Sequence, residues 1–184
     1  MTEPAREKAR GPELGYQRLD RYIAAYDWAE RCIDTGHYLE AIAVLDSLIG
    51  DRLASRYTYI RREEPIDLPA VGELCSRLLK GFRKAENPRV ETDPRFCAVI
   101  EEIQKWAKTR NSAMHQTAKI LRNGAVSVAF VDILEDHRQT ALDGVALVRQ
   151  FDELDTAARR QAGKLPGTYP NAFFPEKRIA RSWM

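Results

Sequence analysis

The stretch PRFCAVIEEIQKWAKTRNSAMHQTAKILR, residues 94–122, decides the fold that this sequence predicts. Apolar residues recur in it at spacings of three and four, the period of a helix with one buried face. The predicted inward positions are Phe96, Val99, Ile100, Ile103, Ala107, Met114, Ala118 and Leu121. Asp93-Pro94 is typical of a helix start and Asn123-Gly124 of a helix end. The stretch therefore predicts one long amphipathic helix.

Four further segments show the same helical period. They cover residues 16–33, 37–57, 69–84 and about 132–161. Residues 125–134, AVSVAFVDIL, are rich in β-branched side chains and fit a short extended piece or the start of the last helix. We predict an all-α, antiparallel bundle of about five helices.

The prolines and charged residues near the two ends predict three parts. Residues 1–15 are expected to be a flexible arm, residues 16–162 the bundle, and residues 163–184 an extended tail. The tail aromatics, which are Tyr169, Phe173, Phe174 and Trp183, are predicted to pack on the bundle or on a partner subunit. The alternative role of the tail is to extend a phosphate-binding surface with Lys177, Arg178 and Arg181.

The composition favours an ordinary globular protein. The 184 residues are 44% hydrophobic and carry a net charge of +2, which does not by itself predict a nucleic-acid partner. Three dispersed cysteines without a CxxC pair disfavour a disulfide framework and a zinc site. Neither a signal peptide nor a membrane span is evident, so we expect a cytoplasmic protein without a membrane partner.

The long helix carries its chemically active residues on two faces. Asn111 and His115 are four residues apart and share one face. The same side is predicted to hold Gln104, Lys108, Lys119 and Arg122. Arg110 lies at the edge of the apolar stripe, about 140° from His115 at about 100° per residue. These residues have an ordinary interpretation, because polar side chains line the wet face of many surface helices.

The six residues RNSAMH, from Arg110 to His115, match the pattern R-N-x-x-x-H. This pattern resembles the signature of the HEPN superfamily, helical-bundle proteins that include many metal-independent ribonucleases and toxins. The segment GHYLEAIAVLDSLIGDRLASRY, residues 36–57, is similar to an early core helix of that family. Arg31 and His37 fit a looser R-x4-6-H spacing, but they lack the asparagine. His37 and His137 lie in other predicted elements, and each is expected to be a surface or capping residue rather than a metal ligand.

The resemblance implies RNA cleavage by the ribose 2′-hydroxyl, without metal or cofactor. His115 would transfer protons, since an imidazole titrates near neutrality. Arg110 would donate two hydrogen bonds to a phosphate, and Asn111 would orient the imidazole or hold a phosphate oxygen. Lys108, Lys119 and Arg122 would bind RNA phosphates.

Family members usually place two such motifs face to face, so the resemblance also implies a homodimer. A toxin or phage-defence role, with a nucleotidyltransferase-like antitoxin as a possible partner, is the corresponding expectation. Two other interpretations stay open. One is a non-catalytic HEPN-type module that binds RNA or protein, and the other is a helical scaffold in which RNxxxH occurs by chance.

Overall fold

The computed structural model describes residues 12–62, 69–82, 89–116, 129–164 and 174–175. These ranges contain five helices and no strand, so the all-α prediction is confirmed. The helices are α1 (Pro12–Asp34), α2 (Tyr38–Arg61), α3 (Val71–Lys80), α4 (Pro94–Gln116) and α5 (Phe130–Gln161). Within the same ranges, none of the helices combines the length and the apolar character that crossing a membrane requires.

The observed helix ends differ from the predicted ones by a few residues. Helix α1 begins at Pro12, because proline is well suited to the first turn of a helix. Helix α2 continues four residues past Tyr57 and ends where Arg62 adopts a left-handed conformation, with a φ of 65°. Helix α3 is shorter than predicted at both ends. The predicted end of α4 at Arg122 lies outside the described residues.

Helix α2 is the central element and packs against each of the other four helices. Helices α1 and α2 form an antiparallel hairpin around Gly36, whose φ of 81° suits glycine. The apolar face of α2 is buried and forms the centre of the hydrophobic core. Its buried apolar residues are Ala41, Ile42, Leu45, Leu48, Ile49, Leu53, Ala54 and Tyr57.

Helices α4 and α5 run antiparallel and approach α2 closely. Phe96 packs edge-on against Phe151, with ring centroids 5.6 Å apart. The Trp106 indole Nε1 donates a 2.8 Å hydrogen bond to the Thr140 carbonyl oxygen. A Cβ at Gly144 would come within 3.0 Å of the Trp106 ring, so the missing side chain is what lets the helices meet here.

The C-terminal segment contributes to the core through Phe174. This side chain is fully buried, and its ring packs edge-on against Tyr26 at 5.3 Å. The Arg149 guanidinium lies 4.9 Å from the same ring. The prediction that the tail aromatics pack on the bundle is confirmed for Phe174. Tyr169, Phe173 and Trp183, and the basic residues Lys177, Arg178 and Arg181, lie outside the described residues.

Candidate functional site

Arg110 faces the interior of the bundle rather than the solvent. The inward side of α4 passes through Ile103, Ala107, Arg110 and Ala113. Met114 was predicted to be inward, but 43% of it is exposed, so that prediction is wrong. The contact face of a straight helix rotates as it crosses its neighbours, which moves the buried positions toward Ala113 near the end of α4.

Two oxygen acceptors fix the Arg110 guanidinium. Its Nη2 donates to Asp46 Oδ1 at 2.5 Å, and its Nη1 donates to Asn111 Oδ1 at 2.7 Å. The pair with Asp46 is partly buried, with 16% of the Arg110 side chain and 29% of the Asp46 side chain exposed. The buried Nε of Arg110 has no hydrogen-bond partner in the described part of the chain. The guanidinium is therefore held in one orientation, and its Nε–H donor is unused.

Asp46 is the site residue that sequence reasoning missed. It lies on α2 beside the buried residues Ile42, Leu45 and Ile49. Burial raises the pKa of the Asp46 carboxyl, and the charge and hydrogen bond of Arg110 oppose this increase only in part. The detectable signal was a carboxylate placed next to an otherwise apolar helix stripe, since such a group needs a cationic or hydrogen-bonding partner.

His115 lies on a different face of α4 from Arg110. Its side chain is exposed, and it makes no hydrogen bond or ion pair with any residue that the structure describes. The divergence of about 140° expected for an ideal helix matches this difference in burial. Within one chain, the motif therefore presents a fixed guanidinium and a separate, accessible imidazole.

The predicted basic face is present only in part among the described residues. Lys108 is exposed, like His115. Gln104 was predicted to lie on the same side, but it is half-buried and donates a 2.9 Å hydrogen bond to Ser76 Oγ on α3. Helix α3 covers that part of α4, so the polar face begins about one turn later. Lys119 and Arg122 lie outside the described residues.

The other two histidines differ from each other. His37 is exposed at the start of α2, where its Nδ1 lies 2.9 Å from Thr35 Oγ1. His137 was expected to be a surface or capping residue, but only 4% of it is exposed. It lies on the inward side of α5, one turn before Ala141, and burial lowers its pKa.

The described ranges contain no group of three or more His, Cys, Asp or Glu side chains that could hold a metal ion. Cys32 and Cys75 fill buried helix positions, and burial raises the pKa of the Cys75 thiol to about 12. What remains for chemistry near the end of α4 is one oriented cation, one amide and one imidazole.

Comparisons of the chain with known protein families, with curated proteins and with solved structures find no match.

Proposed function

We propose that this protein is a metal-independent RNA endonuclease of HEPN type that acts as a homodimer. The observation that supports this most is the state of Arg110. Asp46 and Asn111 fix its guanidinium, and an exposed His115 follows on the same helix. A fixed cation can stabilise a phosphorane-like transition state without reorganising, and an accessible imidazole can transfer protons.

In the proposed reaction, the ribose 2′-oxygen attacks the adjacent phosphorus as a base removes the hydroxyl proton. A new P–O2′ bond forms and the P–O5′ bond breaks. An acid then protonates the departing 5′-oxygen. The products are a 2′,3′-cyclic phosphate and a 5′-hydroxyl, and His115 carries the proton transfers. Arg110 neutralises the charge that develops on the phosphoryl oxygens.

A second copy of the chain would bring both groups to one groove. Arg110 of one copy and His115 of the other can line a shared site, although they diverge within a chain. Exposed apolar residues near His115 support such a contact. Met114 precedes it, and Phe130 and Val131 begin the helix that runs antiparallel to α4.

The deciding experiment incubates total RNA with the purified protein and with the His115→Ala variant, each in excess EDTA. We expect cleavage by the wild type and a loss of about 10²- to 10⁴-fold in the variant, the usual contribution of acid–base catalysis. The products should carry a 2′,3′-cyclic phosphate. The matched control is His37→Ala, which should cleave normally. Activity that returns only with added Mg²⁺ would overturn the mechanism.

The dimer is tested separately by mixing. His115→Ala chains added to wild type should depress activity beyond simple dilution if each site draws on both chains. Sedimentation at micromolar concentration should show a dimer. A monomer would remove the composite site.

A second candidate is an RNA-binding module without cleavage. The contact between Arg110 and Asp46 favours it, because the carboxylate neutralises the charge that the transition state would need. Absence of RNA cleavage by both wild type and His115→Ala, together with RNA affinity in both, would select this function.

A further inference from the structure

A second group of cationic and aromatic side chains lies far from Arg110. We call it the arginine–aromatic surface, and its residues are Tyr59, Arg61, Arg62, Phe82, Arg89 and Lys164. It lies where α2, α3 and α5 end. Asp46 and Arg61 are fifteen residues apart on α2, which is about 22 Å at about 1.5 Å per residue. This surface is therefore distinct from the RNxxxH site.

Phe82 is the centre of one half of the surface. It follows α3 and is 40% exposed, although it is a large apolar side chain. The guanidinium of Arg61 lies 5.3 Å from its ring centroid, and that of Arg77 lies 4.8 Å from it. The exposed ring is thus flanked by two planar cations.

Tyr59 is the centre of the other half. The Lys164 ammonium lies 4.1 Å from its ring centroid, and the Arg62 guanidinium lies 5.8 Å from it. Arg89 connects to the first half by donating a 3.2 Å hydrogen bond to the Arg61 carbonyl oxygen. The two halves adjoin at the end of α2, because Arg61, which contacts Phe82, and Arg62, which contacts Tyr59, are consecutive residues.

Within the described ranges, three cations of this surface have no carboxylate partner. Arg62, Arg89 and Lys164 are exposed, and none of them forms an ion pair with a residue in the described ranges. Nearby arginines differ, because Arg77 pairs with Glu73 and Arg95 pairs with Asp93. These three exposed cations can contact anionic groups of a partner.

Helix dipoles explain only part of this arrangement. Cations near a helix C-terminus are favourable, which accounts for Arg61 and Arg62 at the end of α2. Helix dipoles also account for Arg89, which donates to the Arg61 carbonyl oxygen, and for Lys164 just after α5, but they do not account for the exposure of the Phe82 ring. A partner that offers both anions and flat apolar rings accounts for the whole set.

We infer that the arginine–aromatic surface binds single-stranded nucleic acid. Phosphates would contact the three exposed cations, and unstacked bases would pack on the Phe82 and Tyr59 rings or on the guanidinium planes. A duplex keeps its bases stacked and would leave the rings unused. The inference concerns binding alone and does not depend on the proposed cleavage.

The test measures the affinity of labelled oligonucleotides for the intact protein carrying His115→Ala, so that cleavage cannot interfere. One variant combines Arg62→Ser, Arg89→Ser and Lys164→Ser. The control removes three exposed cations elsewhere, with Arg21→Ser, Lys105→Ser and Arg138→Ser. We expect oligouridine affinity to fall at least about tenfold more in the first variant than in the control. Its salt dependence, the slope of log K against log salt, should fall by about 2, since each phosphate contributes about 0.7.

A single substitution tests the aromatic contribution. Phe82→Leu keeps an apolar side chain and should weaken oligouridine binding by about tenfold, as loss of one stacked base predicts. The affinity for oligothymidine is measured as well. Stronger binding of oligouridine than of oligothymidine would indicate that the partner is RNA rather than DNA. Equal affinity of the two triple variants would overturn the inference. So would duplex RNA that binds as tightly as oligouridine, or vesicles with anionic lipid that bind while oligonucleotides do not.

Discussion

Two arginine–carboxylate pairs tie α2 to the chain around α4, and they differ in how completely they are satisfied. Arg56 Nε contacts Glu91 Oε2 at 2.5 Å, and Arg110 Nη2 contacts Asp46 Oδ1 at 2.5 Å. The side chains of the first pair are 8% and 3% exposed, whereas those of the second are 16% and 29% exposed. The same chemistry is therefore placed in two different environments.

The first pair has partners on every side. The Arg56 guanidinium stacks on Phe96, 3.8 Å from the ring centroid. Glu91 Oε1 accepts the backbone N–H groups of Thr92 and Asp93, each at 3.0 Å. These contacts compensate the burial of the charges and orient the chain just before α4 begins. They leave little capacity for a ligand, as expected of a structural pair.

The second pair is left incomplete. Arg110 has a buried Nε without a partner in the described ranges, and Asp46 keeps part of its surface in water. An incomplete pair beside an exposed histidine can exchange contacts with an incoming phosphate. The difference teaches that exposure of the pair, more than ion pairing as such, distinguishes a candidate site from structural support, because a ligand can reach Asp46 but not Glu91.

The largest expected effect is on stability at the first pair. Glu91→Ala leaves the buried Arg56 charge uncompensated and should lower the free energy of unfolding by about 3–5 kcal/mol. Urea denaturation measures this change. The matched control is Glu102→Ala, which breaks the exposed contact with Lys105 and should cost less than about 1 kcal/mol. Similar losses in both variants would contradict a special role for burial.

A large effect on activity is expected at the second pair. Arg110→Lys keeps the charge but loses the planar fork, so RNA cleavage should fall by about 100-fold, within the range for a lost oxyanion contact. Initial cleavage rates at saturating RNA measure this. Arg138→Lys, at an exposed position on α5, should leave the rate unchanged. Full activity of Arg110→Lys would mean that the fork is not used.

A smaller effect is expected for the partner carboxylate. Asp46→Asn should reduce cleavage by about tenfold, because the acceptor that orients Arg110 loses its negative charge and becomes a weaker amide oxygen. Its stability should change by less than about 1 kcal/mol. Burial already raises the pKa of the Asp46 carboxyl, so the ionised group gains little from its position. If Asp46→Asn destabilises the protein as much as Glu91→Ala does, the Arg110–Asp46 pair is structural support like the Arg56–Glu91 pair.

The smallest predicted effect is a pH dependence of stability from His137, which is buried on α5. Burial lowers its pKa below the ordinary 6.5. The unfolded chain therefore takes up the proton first, and stability falls as the pH drops below about 6.5 toward the lower folded-state pKa. His137→Gln should weaken this loss between pH 7 and pH 5 in denaturation experiments. His37→Gln, at an exposed position, should keep the wild-type profile.

The fold was predictable because it depends on repeated local signals. The apolar period located all five helices, and the Asp93-Pro94 start of α4 matches the observed one. Asp46 was harder to find, because its importance arises from contact with a residue 64 positions away. Met114 and His137 were misplaced for a related reason. Their burial depends on where neighbouring helices cross, which a single-helix projection does not contain.

The position of Phe174 in the chain also determines when the core around Tyr26 can close during synthesis. Its partner Tyr26 is 148 positions earlier in the chain, so this part of the core closes only after residue 174 has been synthesised. Until then, the Tyr26 ring lacks the aromatic side chain that packs against it. A chain cut short before Phe174 would form its helices but leave a cavity of one phenylalanine side chain, a loss of about 3–5 kcal/mol. The Tyr26 ring is thus enclosed only after all five described helices have been synthesised.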